Sequence, residues 1–371
     1  MFSTKNHLRN FNAKILNMHR KLLPDLLKGI AVILMIQVHI MELFAIQDIQ
    51  DSLLGKISLF LGGPPCAPVF MVVMGYFIAF RGKSPYSIFL RGLKLLIIGL
   101  FLNIGLNLHL LIKIFNKSIN LNPLDFIFGV DILILAGLSF IICSFLTFIF
   151  QPATDSSLAD KKTPLLYFIL AIVIAVMTPY MNNILPTDTA VKYFYAIIGG
   201  NYHWSYFPLF PWLAYPLLGY SFYFFEKKYS INLPLHKSQI VMLIILAVGL
   251  IFTIKYAVGI SSNLEEYYHH NFLFFFWTIL FLIFYFSLFL FAENYLGNTT
   301  IFKYLKFAGK NVIVFYIFQW LIIGNIATAI YKTQNLFQII LWFIGIILIT
   351  SLLVYLYKKM LLFSNSCELR I

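Results

Sequence analysis

The chain has 371 residues, of which 61% are hydrophobic and 11% charged, and its mean hydropathy is +0.86. A soluble domain of this length cannot hide so much apolar surface, so the composition points to a polytopic membrane protein. The net charge of +13 falls between apolar runs and not on an amphipathic or disordered tail, so it reads as membrane topology, with no nucleic-acid partner expected.

Ten runs are apolar and long enough to cross ~30 Å of hydrocarbon. In chain order they cover residues 27–46, 57–80, 89–112, 124–150, 164–184, 206–226, 238–260, 271–292, 311–331 and 336–357. The expected fold is therefore all-α, a helical bundle of about ten transmembrane helices over residues 27–357. A segment 1–26 precedes it and a tail 358–371 follows it. The basic start lacks a cleavable signal pattern, so the first span is expected to be retained. The second run is interrupted by Gly62-Gly63-Pro64-Pro65, so a span beginning only near Cys66 is the alternative there. Pro208, Pro211 and Pro216 predict a bent or broken sixth span with room for a cavity.

Charge sets the orientation. Most of the 27 Lys and Arg residues cluster in alternate connections: before residue 22, at 81–94, at 161–162, at 227–237, at 303–310 and after 357. Both termini are therefore expected in the cytoplasm. The three cysteines, Cys66, Cys143 and Cys367, lack ligand spacing and form no disulfide framework. No metal is expected: His269 and His270, beside Glu265 and Glu266, are adjacent and point differently, and no His pair at helical i, i+4 spacing stands there.

Lys28 and His39 stand out inside the first span. A cation and an imidazole are costly in lipid, so a pair in one helix calls for a reason. Near 100° per residue they return almost to one face, about 16 Å apart along the axis. Imidazole is the side chain best suited to take and return a proton near neutral pH. Snorkelling of Lys28 and simple packing of His39 are the plainer alternatives. Glu42, three residues past His39, either orients the ring or meets water at the helix end. Asp25 reads first as a cap after Pro24, with pairing to Lys28 as the alternative. At the outer mouth of the sixth span, His203, Trp204 and Tyr206 are candidates to contact a sugar; an interfacial aromatic belt accounts for such residues equally well.

The run Asp25-Leu26-Leu27-Lys28-Gly29, continued to His39, resembles the first helix of transmembrane acyltransferases, in which a basic residue and a histidine stand at this spacing. Pro68 to Tyr76 resembles the second helix of those families. His203 to Tyr220 resembles a Phe-Pro…Pro-Trp…Leu-Leu-Gly segment of bacterial proteins with a heparan-α-glucosaminide N-acetyltransferase catalytic domain, related to acyltransferase family 3. Gly309-Lys310-Asn311, with Tyr316 downstream, resembles a late helix start of the superfamily.

The resemblance implies an integral protein of a bacterial plasma (inner) membrane. Its expected activity is transfer of an acyl group, usually acetyl, from cytosolic acyl-CoA to a hydroxyl or amine of an extracytoplasmic glycan or glycolipid. On that expectation Lys28, Arg81 and Arg91 hold the phosphates of the acyl-CoA. His39 serves as general base assisted by Glu42, and His203, Trp204 and Tyr206 meet the acceptor. Direct transfer and a transient acyl-histidine both stay open. A permease or flippase for a sugar or lipid-linked sugar, using Lys28 and His39 as relay or anchor, is the competing expectation. The chain departs from relatives in three places. Lys28 stands where many have Arg, which gives up the bidentate fork. Gln50 stands where animal relatives acting on heparan sulfate have a loop His. Gln319 stands near a His of some family members.

Overall fold

The computed structural model describes residues 2–150, 156–229 and 237–368. Twelve helices carry the architecture. They are α1 (Phe2–Phe44), α2 (Leu53–Gly62), α3 (Ala67–Arg81), α4 (Pro85–Leu106), α5 (Ile132–Phe150) and α6 (Ser156–Asn182). Then follow α7 (Ala214–Tyr229), α8 (Lys237–Ser262), α9 (Phe272–Leu296), α10 (Thr300–Lys310), α11 (Val312–Ile330) and α12 (Leu336–Glu368). Among the described residues the only pairings of β type are two isolated bridges, Ala45 with Gln334 and Val130 with Ser205. The protein is an all-α helical bundle.

Among the described residues nine segments are long and apolar enough to cross a membrane, one fewer than the apolar runs suggest. The difference lies in the sixth run. A short helix, Leu209–Trp212, has Phe210 at non-helical angles (φ −99°, ψ 114°), and α7 begins only at Ala214. Proline removes a backbone donor and crowds the preceding turn, so the closely spaced Pro208, Pro211 and Pro216 leave 16 residues of continuous helix in α7. The second run is interrupted as its glycines and prolines suggest. α2 and α3 are joined by a turn at residues 63–66, and together they form one broken span. The first segment is helical from Phe2, so α1 runs through Pro24 into its span, which begins at Leu23. The expected tail from residue 358 continues α12 as far as Glu368; its last residues lie outside the described ones.

Large side chains on the outer helices face outward: Phe252 on α8 is 84% exposed and Phe101 on α4 is 71% exposed. In water such a surface would be unstable, and in hydrocarbon it is the solvated face. The interior is built where helices approach closely. α3 packs on α7, α4 on α5, and α1 on α10. Glycine is the reason at all three: Gly92 and Gly137 face each other where α4 meets α5, and the other two crossings are alike. A Cβ on Gly75 would strike the Pro216 carbonyl, and one on Gly219 the Val72 carbonyl. A Cβ on Gly29 would strike the Leu305 carbonyl, and one on Gly309 the Asp25 carbonyl. Backbone therefore lies on backbone at these last two crossings, with no side chain between.

Candidate functional site

The α1–α10 crossing fixes the Lys28 end of the site. With Gly29 and Gly309 in backbone contact, Asp25 and Lys28 project beside the crossing, and Lys28 Nζ sits 2.8 Å from Asp25 Oδ1. Asp25 is thus an ion-pair partner inside a continuous helix, not a helix cap. The ammonium also lies 5.5 Å from the centre of the Phe77 ring on α3. Arg81 ends α3, where Gly82 takes the left-handed conformation (φ 51°) that stops the helix. Arg91, in the second turn of α4, stands over the Phe140 ring of α5 at 5.1 Å. Lys28, Arg81 and Arg91 line one cavity of ≈ 500 Å³. Its other walls are mainly apolar, from Met71, Met74 and Phe77 of α3 to Ile132 and Leu133 of α5, and Tyr316 of α11 also lines it.

Tyr316 is 6% exposed, and its hydroxyl donates to Asp131 Oδ2 at 3.2 Å. Asp131 Oδ1 accepts from the Ile134 N–H at 2.9 Å. The carboxylate therefore caps the first turn of α5, where a negative charge is favoured by the exposed donors and the helix dipole. Tyr316 meets Trp320 edge-on, ring centres 6.5 Å apart. Trp320 in turn lies against His39, ring centres 4.0 Å apart. His39 faces the protein interior at α11, yet it is not among the residues lining the cavity. Its Nδ1 is buried without a hydrogen-bond partner, as are both amide atoms of Gln319, while the Trp320 indole stands within reach of the Tyr316 hydroxyl. A buried polar atom left unpaired costs on the order of 1–3 kcal/mol. This seam between α1 and α11 is therefore dense in unmet hydrogen-bonding capacity.

Glu42 lies one helical turn further along α1. It does not bond the orphaned His39 Nδ1, and it stands within electrostatic reach of Lys332, Tyr206 and Tyr268. Tyr206 is 41% exposed, and its ring meets that of Tyr268 at 5.2 Å. Gln50 donates from its side-chain amide to the carbonyls of Met41, Glu42 and Ala45. It ties off the end of α1, where the last carbonyls lack intrahelical donors.

The other two candidates for acceptor contact stand apart from Tyr206. Trp204 is only 7% exposed and is covered by Tyr202 and Tyr193, with ring centres at 4.8 and 5.2 Å. Its ring faces are occupied by packing, so it offers none to a sugar in this conformation. His203 is exposed, and its Nε2 lies 3.3 Å from Asp125 Oδ2. Asp125 also accepts from the Tyr193 hydroxyl. Burial, with that carboxylate as the further cause, pushes the Tyr193 phenol up to about 12. The loop around Trp204 is stitched to the start of α5: Val130 N–H donates to the Trp204 carbonyl and Phe207 N–H to the Val130 carbonyl, both at 2.9 Å. His270 is paired at both ring nitrogens, with Tyr215 at 2.9 Å and the Tyr267 carbonyl at 2.7 Å.

The family profile described as an acyltransferase domain matches residues 23–358. The chain belongs to acyltransferase family 3. Neither a curated protein nor a solved structure matches it. The match covers every helix of this membrane acyltransferase from the span of α1 into α12. Within that frame the acyltransferase brings together Lys28, Arg81 and Arg91 at one cavity, and leaves His39 one ring beyond its wall. Asp131, Tyr316 and Trp320 join the two places, and reading the sequence for chemistry passed over them. Asp131 did carry a signal: it is the sole acid between Ile127 and Phe150, where an ionisable group needs a partner. Tyr316 was marked only by its place downstream of Gly309-Lys310-Asn311, with no chemistry attached, and Trp320 carried no signal, being one aromatic among many.

Proposed function

We propose that this membrane acyltransferase moves an acyl group, acetyl foremost, from acyl-CoA to a hydroxyl or amine of an extracytoplasmic glycan or envelope sugar. The observation that carries the reading is the convergence of Lys28, Arg81 and Arg91 on one cavity that reaches Tyr316, one aromatic ring short of His39. Three cations at one end suit the phosphates of CoA. The narrow apolar walls beyond them suit a thin arm ending in a thioester. The cytoplasmic side is then the Lys28 side, in keeping with the basic connections, and the bacterial plasma membrane is the proposed location.

For transfer, the ring of Trp320 shifts so that the thioester carbon and the acceptor oxygen or nitrogen meet at His39. His39 takes the acceptor proton as the new bond to the carbonyl carbon forms. The carbon–sulfur bond then breaks, and the imidazolium returns the proton to the CoA thiolate. Glu42, toward the opposite end of α1, steadies the positive ring while it exists. Tyr206, half open beside Glu42, contacts the acceptor, with His203 further out on the rim and Trp204 supporting that loop from beneath.

The test is release of CoA thiol by the purified protein in nanodiscs, given acetyl-CoA and a crude envelope-glycan fraction. Thiol release that depends on both, and that His39→Ala removes without loss of fold, supports the reading. Sugar movement across the membrane of sealed proteoliposomes with no dependence on acetyl-CoA, and no thiol release, overturns it.

A further inference from the structure

The Tyr316–Asp131 pair has no part in holding phosphate and none in proton transfer at His39. Tyr316 nonetheless lines the cavity, with Asp131 holding it. Both residues are buried, at 6% and 9% exposure, and the phenol proton is already committed to Asp131 Oδ2. A phenol whose proton is held by a carboxylate keeps its oxygen lone pairs as acceptors, and donation to a charged partner strengthens them. Asp131 is in turn fixed by the Ile134 N–H. Tyr316 thus brings a fixed phenol, held by Asp131 and with the Trp320 indole also in reach, to a wall whose neighbours Ile132, Leu133 and Met71 offer only apolar side chains.

We propose that Tyr316, anchored by Asp131, is a positioning residue for the donor's pantetheine arm: its phenol oxygen accepts the N–H of the amide nearest the thioester sulfur. This rests on acyl-CoA being the donor. The contact stops the arm at a set depth and leaves the thioester, a few atoms further on, at the seam with Trp320 and His39. The buried, unpartnered Gln319 amide stands one helical turn beyond Tyr316 on α11. That places further hydrogen-bonding capacity at the depth the thioester reaches.

The experiment compares three donors in wild type, Tyr316→Phe and Asp131→Asn. They are acetyl-CoA, S-acetyl-N-acetylcysteamine, which keeps that amide, and ethyl thioacetate, which has none. Tyr316→Phe is expected to lower kcat/KM about tenfold, or about 1.4 kcal/mol, for the first two donors through KM. Ethyl thioacetate should stay within about twofold. Asp131→Asn keeps an oxygen for the phenol and should lose about threefold on the same two donors. A structural role would lower all three donors together, and that result overturns the proposal. So does no change with any donor, or a loss confined to acetyl-CoA, which would move the contact off this amide. Wild-type protein inert toward acetyl-CoA would instead fail the donor assignment itself, and this inference with it.

Discussion

Lys28 and His39 share one helix, yet their surroundings are opposite. Lys28 borders an existing space, with its charge balanced by Asp25 at 2.8 Å and its face turned to Phe77. His39 does not line that space: it is pressed against Trp320 and keeps an unpaired buried nitrogen. The charged end of the span opens on a cavity, and the imidazole end is packed against a ring. Two rings, Tyr316 and Trp320, make the difference. Under the proposed acyl transfer, such a division of α1 would keep the donor's thioester away from water until its acceptor arrives.

This contrast can be broken at either half. His39→Ala should have the largest effect, a loss of about 10²–10⁴-fold in kcat, the usual span for a general base, with donor affinity unchanged in calorimetry. Lys28→Ala should do the reverse. Loss of a charge-assisted contact, about 1.5–3 kcal/mol, predicts about 10- to 100-fold weaker acetyl-CoA binding with little change in single-turnover rate. Lys28→Arg should keep most of the affinity. A Lys28→Ala protein that binds the donor normally would remove the cavity from the account. Tyr206→Phe should be milder still, raising the acceptor KM by about two- to fivefold and leaving donor affinity alone.

The smallest expected effect concerns the helix-linking loop behind the site. Burial holds both His269 and His270 down to about 4, below the usual imidazole value of 6.5. Between those values the unfolded chain binds more protons than the folded one. Stability is therefore full above about pH 6.5 and falls as pH drops toward 4. Melting curves in detergent from pH 7.5 to 4.5 should show that decline, and His269→Gln should flatten part of it.

What the sequence disclosed follows from what periodicity and charge can encode. Apolar length pointed to ten spans, of which nine stand among the described residues, and the proline cluster marked the sixth run as the broken one. The separation of Lys28 from His39 put both on one helix, and the basic clusters put Arg81 and Arg91 near Lys28. Proximity across the bundle was not encoded. Nothing local to Tyr316 indicates that it meets Asp131, 185 positions away, and nothing local to Trp204 indicates that its ring is covered by Tyr202 and Tyr193. Trp204 reads as a platform in one dimension and proves a wedge in three. Gln50 is a gain from the coordinates: it ties down the carbonyl end of α1, which gives that position a mechanical use in a protein that lacks a loop histidine there.

The stitch between Val130 and the Trp204 loop has one more consequence. Asp131, the next residue, grips Tyr316, so two main-chain bonds and one carboxylate form an unbroken linkage from the aromatic rim beside His203 to a ring that lines the cavity. The outer aromatic loop and the Tyr316 side of the cavity are thereby held in one register, so a change in the length or angle of the Val130 connection moves both.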